Sequence, residues 1–164
     1  MNERVAELRA ALRLEPHPEG GFFREHYRGE LATSTAIYYL LCEGAWSAWH
    51  RVDKDELWHH YEGGPIALHV LIESQPADLA YRVLRLGPLD AAGQRPSQLV
   101  PAGAWQAARL EVPGSYALVG NTVAPGFELV DWTLADAATL RDLAARYPSA
   151  RAALAAFGAA SGTR

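Results

Sequence analysis

The sequence has 164 residues, of which 49% are hydrophobic and 21% charged, a composition typical of a compact globular protein rather than of a disordered or fibrous chain. Its formal net charge is −4 and no run of Lys or Arg offsets it locally, which argues against nucleic acid as a partner. A single cysteine (Cys42), no signal peptide and no run of about 20 apolar residues predict a cytoplasmic protein without a membrane partner.

The first predicted element is an N-terminal helix over residues 3–13. Val5 and Leu8 begin a series of apolar residues at helical spacing, with Glu and Arg between them. The helix should end before Pro16, because proline disfavours helical geometry in the residue that precedes it. The segment 16–21, PHPEGG, then predicts a rigid turn that ends in two flexible residues.

From about residue 22 to residue 132 the sequence consists of short runs rich in β-branched and aromatic residues, separated by Gly, Pro and Asp. These runs predict ten strands: 22–28, 35–42, 46–52, 56–61, 66–73, 79–86, 98–100, 104–111, 115–119 and 127–133. No helical pattern lies between them, which excludes a doubly wound α/β fold. We therefore predict an all-β fold, a closed antiparallel barrel or a two-sheet jelly roll over about 20–133.

The segment 135–157 predicts one or two short C-terminal helices, because apolar residues again recur at helical spacing. Asp136 is the expected N-cap of the first helix. Pro148 should end that helix, and Ser149 is expected to cap the second one. The small, polar segment 158–164 is expected to be frayed.

The segment 49–63 contains the residues best suited to chemistry. His50 and Glu56 lie on successive predicted strands, so they would share a face if these strands pair as a hairpin. Imidazole together with carboxylate suits Zn, Fe, Ni or Mn, and equally suits proton transfer. One histidine of the pair His59-His60 is expected to join them in a solvent-accessible pocket. Regular alternation favours His60, whereas a β-bulge favours His59, so the spacing leaves this choice open.

Several blocks of the sequence resemble one branch of the cupin superfamily, the cupin 5 family or domain of unknown function 985. Residues 50–63 resemble the first cupin motif, and residues 101–106 resemble the second. Further matching blocks are residues 16–25, 35–41, 100–107 and 119–127. The resemblance implies a single cupin domain over 1–164, a jelly roll related in fold to the nucleotide-sugar 3,5-epimerases, and a homodimer.

Two positions depart from the usual cupin metal motifs. Ala48 stands where the partner of His50 in a His-x-His pair is expected, and Gln106 replaces the histidine of the second motif. The candidate metal ligands are therefore His50, Glu56, His59 and Gln106, with His60 as the alternative to His59. The cofactor is left open by the sequence, and a divalent metal is one of the alternatives.

By analogy with relatives on the same fold, we expect a small-molecule enzyme of the epimerase or isomerase kind that acts on a carbohydrate or another polar metabolite. His50 or His59 would act as the base near neutral pH, and Glu56 would orient the imidazole or accept a proton. The candidate substrate-binding residues are Gln106, Arg24, Tyr38, Trp58 and Asn121. The alternatives are a metal-dependent enzyme such as a dioxygenase and a non-catalytic module that binds a small molecule.

Overall fold

The computed structural model describes residues 3–157. The predicted helices at the two ends are present, and these residues form eleven strands, one more than the ten predicted. The helices are α1 (Glu3–Leu12), α2 (Ala137–Arg146) and α3 (Arg151–Ala156). The strands are β1 (Glu15–Pro16), β2 (Phe22–Arg28), β3 (Thr35–Cys42), β4 (Trp46–Val52), β5 (Asp55–Gly63), β6 (Ile66–Leu71), β7 (Tyr81–Leu86), β8 (Ser97–Val100), β9 (Trp105–Leu110), β10 (Tyr116–Ala124) and β11 (Trp132–Leu134).

The strands form two antiparallel sheets, which confirms the predicted jelly roll. One sheet has six strands in the order β1-β2-β3-β10-β5-β8, and the other has five in the order β11-β4-β9-β6-β7. Alternating apolar residues on the two inner faces meet to form the central core, as the two-residue period of a strand requires. Tyr39, Trp58 and Leu68 are among its fully or almost fully buried side chains.

The helices cover the outer faces of the sheets. Val5 and Leu8 of α1 pack on Leu40 of the six-stranded sheet. The two C-terminal helices pack Leu143 and Leu154 against the outer face of the five-stranded sheet. Each such buried side chain contributes about 1.5–3 kcal/mol. None of the helices within residues 3–157 is both long enough and apolar enough to cross a membrane.

Some predicted ends of elements were wrong. The predicted strand 127–133 is reduced to β11, because residues 129–131 form a 3₁₀ turn that Glu128 and Asp131 close with reciprocal side-chain bonds. At the C-terminal end, the Asp136 side chain caps α2 as predicted, accepting a bond of 2.7 Å from the Thr139 amide. Ser149 does not cap α3, because it lies inside another 3₁₀ turn, residues 148–150, that precedes the helix. The predicted frayed segment 158–164 lies outside the described residues.

Candidate functional site

A cavity of about 400 Å³ lies between the two sheets. Its walls are largely apolar, which is usual for a small-molecule site. The apolar walls include Phe23, Ile37, Val52, Trp58, Phe127 and Trp132. The polar side chains in its lining are His17, Glu19, His50, Glu56 and Asn121, with Glu25, Arg28, Thr35 and Glu128 also contributing.

His50 presents one ring nitrogen to this cavity. Its Nδ1 lies 2.9 Å from the Ala48 carbonyl oxygen and 3.2 Å from the Glu19 carboxylate. Both partners only accept hydrogen bonds when the carboxylate is ionised, so Nδ1 carries the proton and Nε2 holds a lone pair. Nε2 has no hydrogen-bond partner within residues 3–157, yet it is not enclosed by protein atoms. Although only 3% of His50 is exposed, its basic nitrogen therefore faces the cavity.

A β-bulge in β4 gives His50 this orientation. Ser47 pairs with Ala108 and His50 pairs with Gln106, so β4 has one more residue than β9 between these pairs. In a regular strand, residues three apart point to opposite faces. The extra residue places both side chains on the inner face, where each contacts the Glu19 carboxylate.

Glu19 is the functional candidate that sequence reasoning missed. One carboxylate oxygen accepts a bond of 2.6 Å from the Trp132 indole, and the other accepts one of 2.9 Å from the Ser47 hydroxyl. Only 5% of Glu19 is exposed. Burial raises the pKa of this carboxyl group, which the nearby His17 and the two donors partly offset. The sequence offered one signal for Glu19: it is an acidic residue within the turn 16–21. If that turn packs on the core, the carboxylate needs buried hydrogen-bond donors, which is typical of a functional site.

His17, which was not among the candidates predicted from the sequence, also lines the cavity. Its Nδ1 accepts a bond of 3.2 Å from the Glu19 backbone amide, so the neutral ring carries its proton on Nε2. The ring contacts Phe23 edge-on, with 4.5 Å between the ring centroids. Burial lowers the pKa of the imidazole, although the Glu19 carboxylate raises it. The two histidines of the cavity therefore hold opposite tautomers.

Glu56 is held by a relay of hydrogen bonds in the core. The Trp58 indole donates to the Gln106 side-chain oxygen over 3.0 Å, and the Gln106 amide donates to the Glu56 carboxylate. Burial raises the pKa of Glu56, while His50 and the Gln106 donor lower it. The Asn121 side chain also approaches Glu56 and lowers its pKa. The oxygen of Asn121, a residue that is only 4% exposed, has no hydrogen-bond partner in the described chain.

Four of the predicted site residues meet in the cavity. They are His50, Glu56, Trp58 and Asn121. Gln106 contacts Glu56 from behind but does not line the cavity, since its amide is committed to the relay on both sides. The expected contact between Gln106 and a substrate oxygen therefore has no support in this arrangement.

The histidine pair does not complete the site, and this corrects the prediction. Because Glu56 and Trp58 face inward, alternation turns His59 to the outer face, where its Nε2 lies 3.2 Å from the Thr122 hydroxyl. The bulge in β5 comes only after His60, so regular alternation places His60 on the inner face with Glu56 and Trp58. Its ring nevertheless hydrogen-bonds the Gly64 carbonyl oxygen and lies outside the cavity lining.

Arg24 and Tyr38 also lie away from the cavity. Arg24 is on β2 near the edge of the six-stranded sheet, and its half-exposed guanidinium lies 3.5 Å from Glu15. Tyr38 stacks on His26, with 4.0 Å between the centroids, on the outer face. Its neighbour Tyr39 takes the inward position in the cavity wall. Neither Arg24 nor Tyr38 can contact a ligand in the cavity.

The donor set does not fit a divalent metal ion. Of the four predicted ligands, His59 lies on the opposite face of the sheet and Gln106 has no free donor atom on its side chain. No group of three or more His, Cys, Asp or Glu side chains between residues 3 and 157 is placed to hold a metal ion. His50 and Glu56 thus lack the additional ligands that a structural or catalytic metal site requires.

Known proteins resemble this chain in sequence and in fold. The model of a family described as cupin superfamily (DUF985) matches residues 6–135. Protein SO0799 from Shewanella oneidensis has a TM-score of 0.82 and 32% identity, covering 94% of this chain and 97% of its own. A hypothetical protein from Leishmania major has a TM-score of 0.80 and 29% identity, covering 94% and 98%.

A more distant likeness shows the fold alone. Oxalate decarboxylase from Bacillus subtilis has a TM-score of 0.59 at 15% identity, over 89% of this chain and 37% of its own. No curated protein matches the sequence. The family match covers most of the chain, and its resemblance to the Shewanella protein extends over nearly all of it. The chain belongs to the cupin 5 family (DUF985) of the cupin superfamily.

Proposed function

We propose that the cavity binds a small polar metabolite and catalyses proton transfer on it, in an epimerase-like or isomerase-like reaction with His50 as the base. The observation that carries this proposal is the free Nε2 of His50, which faces the cavity while Nδ1 is anchored by Ala48 and Glu19. Burial lowers the pKa of His50, so the imidazole is neutral and basic near pH 7.

The arrangement supports a defined proton-transfer step. Nε2 would take a proton from a carbon next to a carbonyl group, the electron pair of that C–H bond would form a carbon–carbon double bond, and the π pair of the carbonyl group would move onto its oxygen. The Glu19 carboxylate would stabilise the imidazolium that forms, because it accepts a hydrogen bond from Nδ1. Return of the proton to the other face or to a neighbouring carbon completes an isomerisation. A positioned base contributes about 10²–10⁴-fold to such a rate.

Isotope incorporation from the solvent tests this proposal on a mixture of candidate substrates. The protein is incubated with a metabolite extract in D₂O, and mass spectrometry searches for a metabolite that gains deuterium at carbon without changing its elemental composition. We expect such a metabolite with the wild type and with His59→Gln, a matched histidine variant on the outer face. His50→Gln should lose the incorporation by about 10²-fold or more. Equal incorporation with His50→Gln would refute the proposal.

The second candidate is a non-catalytic binding module, and the largely apolar lining of the cavity favours it. In that case a metabolite would co-purify with the protein and be released unchanged on denaturation. No deuterium would enter it during incubation in D₂O. Mass spectrometry of the denatured protein, with and without this incubation, separates the two candidates.

We also propose that the protein is a cytoplasmic homodimer. The outer face of the six-stranded sheet beyond α1 exposes large apolar side chains, and pairing across a two-fold axis would cover them. Leu57 and Leu99 are cross-strand partners there, with Leu99 50% exposed, and Tyr61 nearby is 51% exposed. Light scattering should give twice the chain mass of 17.9 kDa. Leu99→Glu should lower the mass measured by light scattering toward that of one chain. A wild-type mass of about 17.9 kDa at micromolar concentration would contradict the proposal.

A further inference from the structure

The cavity holds a second histidine that the proton transfer described above does not use. His17 lies in its wall between Phe23 and Tyr39, whose rings it meets edge-on with 4.5 and 5.5 Å between the centroids. Its Nε2 has no hydrogen-bond partner among the described residues and is not enclosed by protein atoms. The N–H group on this atom is therefore open to the cavity.

Glu19 fixes opposite tautomers in the two histidines through two different groups. Its backbone amide donates to Nδ1 of His17 over 3.2 Å, which leaves the ring proton of His17 on Nε2. Its carboxylate lies 3.2 Å from Nδ1 of His50, which keeps that proton on Nδ1 and the lone pair on Nε2. The same carboxylate oxygen is 3.8 Å from Nδ1 of His17, so the two rings are neighbours. Glu19 thus arranges a donor and an acceptor beside each other in one cavity.

His17 is held as a neutral donor. A proton on Nδ1 would point at the Glu19 backbone amide, which is itself a donor. Burial lowers the pKa of His17, the Glu19 carboxylate partly offsets this effect, and His50 lowers the pKa further. A neutral imidazole can polarise a carbonyl group, because its N–H donates to the oxygen on which negative charge develops.

Trp132, Tyr39 and Thr35 also carry polar hydrogens in the wall. The Trp132 indole and the Tyr39 hydroxyl donate to protein acceptors, over 2.6 and 2.8 Å. The Thr35 hydroxyl accepts a bond from a backbone amide and keeps a free hydrogen, which turns about the C–O bond. The N–H of His17 is fixed in direction by its ring and by the anchor at Nδ1. A donor fixed in advance stabilises a developing charge without reorganisation, so His17 suits this role better.

We infer that His17 is a second catalytic residue, which donates from Nε2 to the carbonyl oxygen of the substrate while His50 removes the proton from the neighbouring carbon. The inference rests on the proposed function, because it adds a residue to the same reaction. When the C–H bond breaks, the carbonyl oxygen takes up the π pair and becomes an oxyanion. His17 holds this oxyanion by a hydrogen bond without giving up its own proton. The imidazolium of His50 then returns the proton to carbon as the carbonyl group re-forms.

Two variants of His17 separate the donor from the anchor. In His17→Asn the side-chain oxygen can still accept from the Glu19 amide, as in an Asx turn, but the donor at Nε2 is lost. In His17→Gln the amide nitrogen reaches the position of Nε2 as a donor, but the anchor at Nδ1 is lost. The rate of deuterium incorporation is measured on the metabolite that the wild type labels in D₂O. We expect His17→Asn to lose about 10²-fold or more and His17→Gln to lose about tenfold or less.

NMR of the ¹⁵N-labelled protein without any ligand measures the tautomers directly. Correlations between the ring carbon protons and the ring nitrogens at pH 7 should show Nε2–H for His17 and Nδ1–H for His50. The loss of signals in His17→Asn and in His50→Gln assigns them. His50 should keep its tautomer in His17→Asn, which shows that Glu19 still anchors it. His59→Asn, a matched variant on the outer face, should label the metabolite like the wild type.

The outcomes separate this inference from the proposed function. Wild-type incorporation by His17→Asn, or equal losses in His17→Asn and His17→Gln, would overturn the inference and leave the base at His50 intact. A proton on Nδ1 of His17 in the wild type would overturn it as well. Failure of the proposed function is different, since no metabolite would gain deuterium with the wild type, or His50→Gln would label it equally. The inference would then fall together with the proposed function.

Discussion

Replacing Glu19 with alanine tests whether this carboxylate organises the site. The change removes the acceptor of the buried Ser47 hydroxyl and of the part-buried Trp132 indole. Each unsatisfied donor costs about 1–3 kcal/mol, so we expect a loss of about 4 kcal/mol in the free energy of unfolding. His50 Nδ1 adds little to this loss, because it keeps the Ala48 carbonyl oxygen as a partner. The corresponding fall in Tm is roughly 12 °C for a domain of this size.

Urea unfolding followed by tryptophan fluorescence measures this loss. Glu19→Gln retains one acceptor oxygen and should lose about half as much. The matched control is Glu25→Ala, which removes a partly exposed carboxylate paired with Arg28 at the same cavity and should cost about 1 kcal/mol or less. If Glu19→Ala were no more destabilising than Glu25→Ala, the two donors would not depend on Glu19 and the proposed anchoring of His50 would lose its basis.

Two further predictions concern stability. Burial lowers the pKa of His69 from 6.5 to about 4. Between these two pH values the unfolded chain binds a proton at His69 and the folded protein does not. The free energy of unfolding should therefore fall by up to about 3 kcal/mol as the pH falls from 6.5 to 4. His69→Gln retains an acceptor for the Tyr81 hydroxyl, and its free energy of unfolding, measured by urea titration at the two pH values, should fall by about 3 kcal/mol less than that of the wild type. An equal fall in the two proteins would show that His69 is not the group responsible. Gly63→Ala should cost more than about 2 kcal/mol, because φ is +93° and a Cβ atom would lie 2.2 Å from the Tyr116 carbonyl oxygen. Gly44→Ala, with φ of +76° and open space around it, should cost only about 1 kcal/mol, and equal costs would rule out the clash.

The fold could be predicted because its signals are local. Runs of alternating apolar residues without intervening helical patterns predicted the two sheets, and Asp136 marked the start of α2. The ends of strands depend on long-range contacts instead. The 3₁₀ turn at 129–131 shortened β11 because two acidic side chains bond to the backbone there, which apolar patterning does not reveal.

The candidate site was predicted in part for the same reason. His50 and Glu56 stood out because an imidazole and a carboxylate lay on successive strands. The expected hairpin between these strands was wrong, since β4 and β5 belong to different sheets and the two side chains meet in the cavity between them. Glu19 and His17 did not, because they enter the cavity from a turn whose course depends on its packing over β3. Gly21 shows this dependence, since its φ is +70° and a Cβ atom there would lie 2.8 Å from the Leu40 carbonyl oxygen. His59 was misplaced because the sequence does not show where β5 bulges: the bulge follows His60, so regular alternation holds up to that residue and turns His59 to the outer face.

The bulge in β4 makes the chemistry of the cavity depend on the course of the strand as well as on its residues. If the four residues from Ser47 to His50 formed a regular ladder without the bulge, His50 would turn toward the layer beneath α2 and α3, with the histidine still present in the sequence. A related protein can therefore retain every polar residue of this cavity and still lack the base. The presence of the bulge between the serine and the histidine is a better guide to shared activity than the histidine itself.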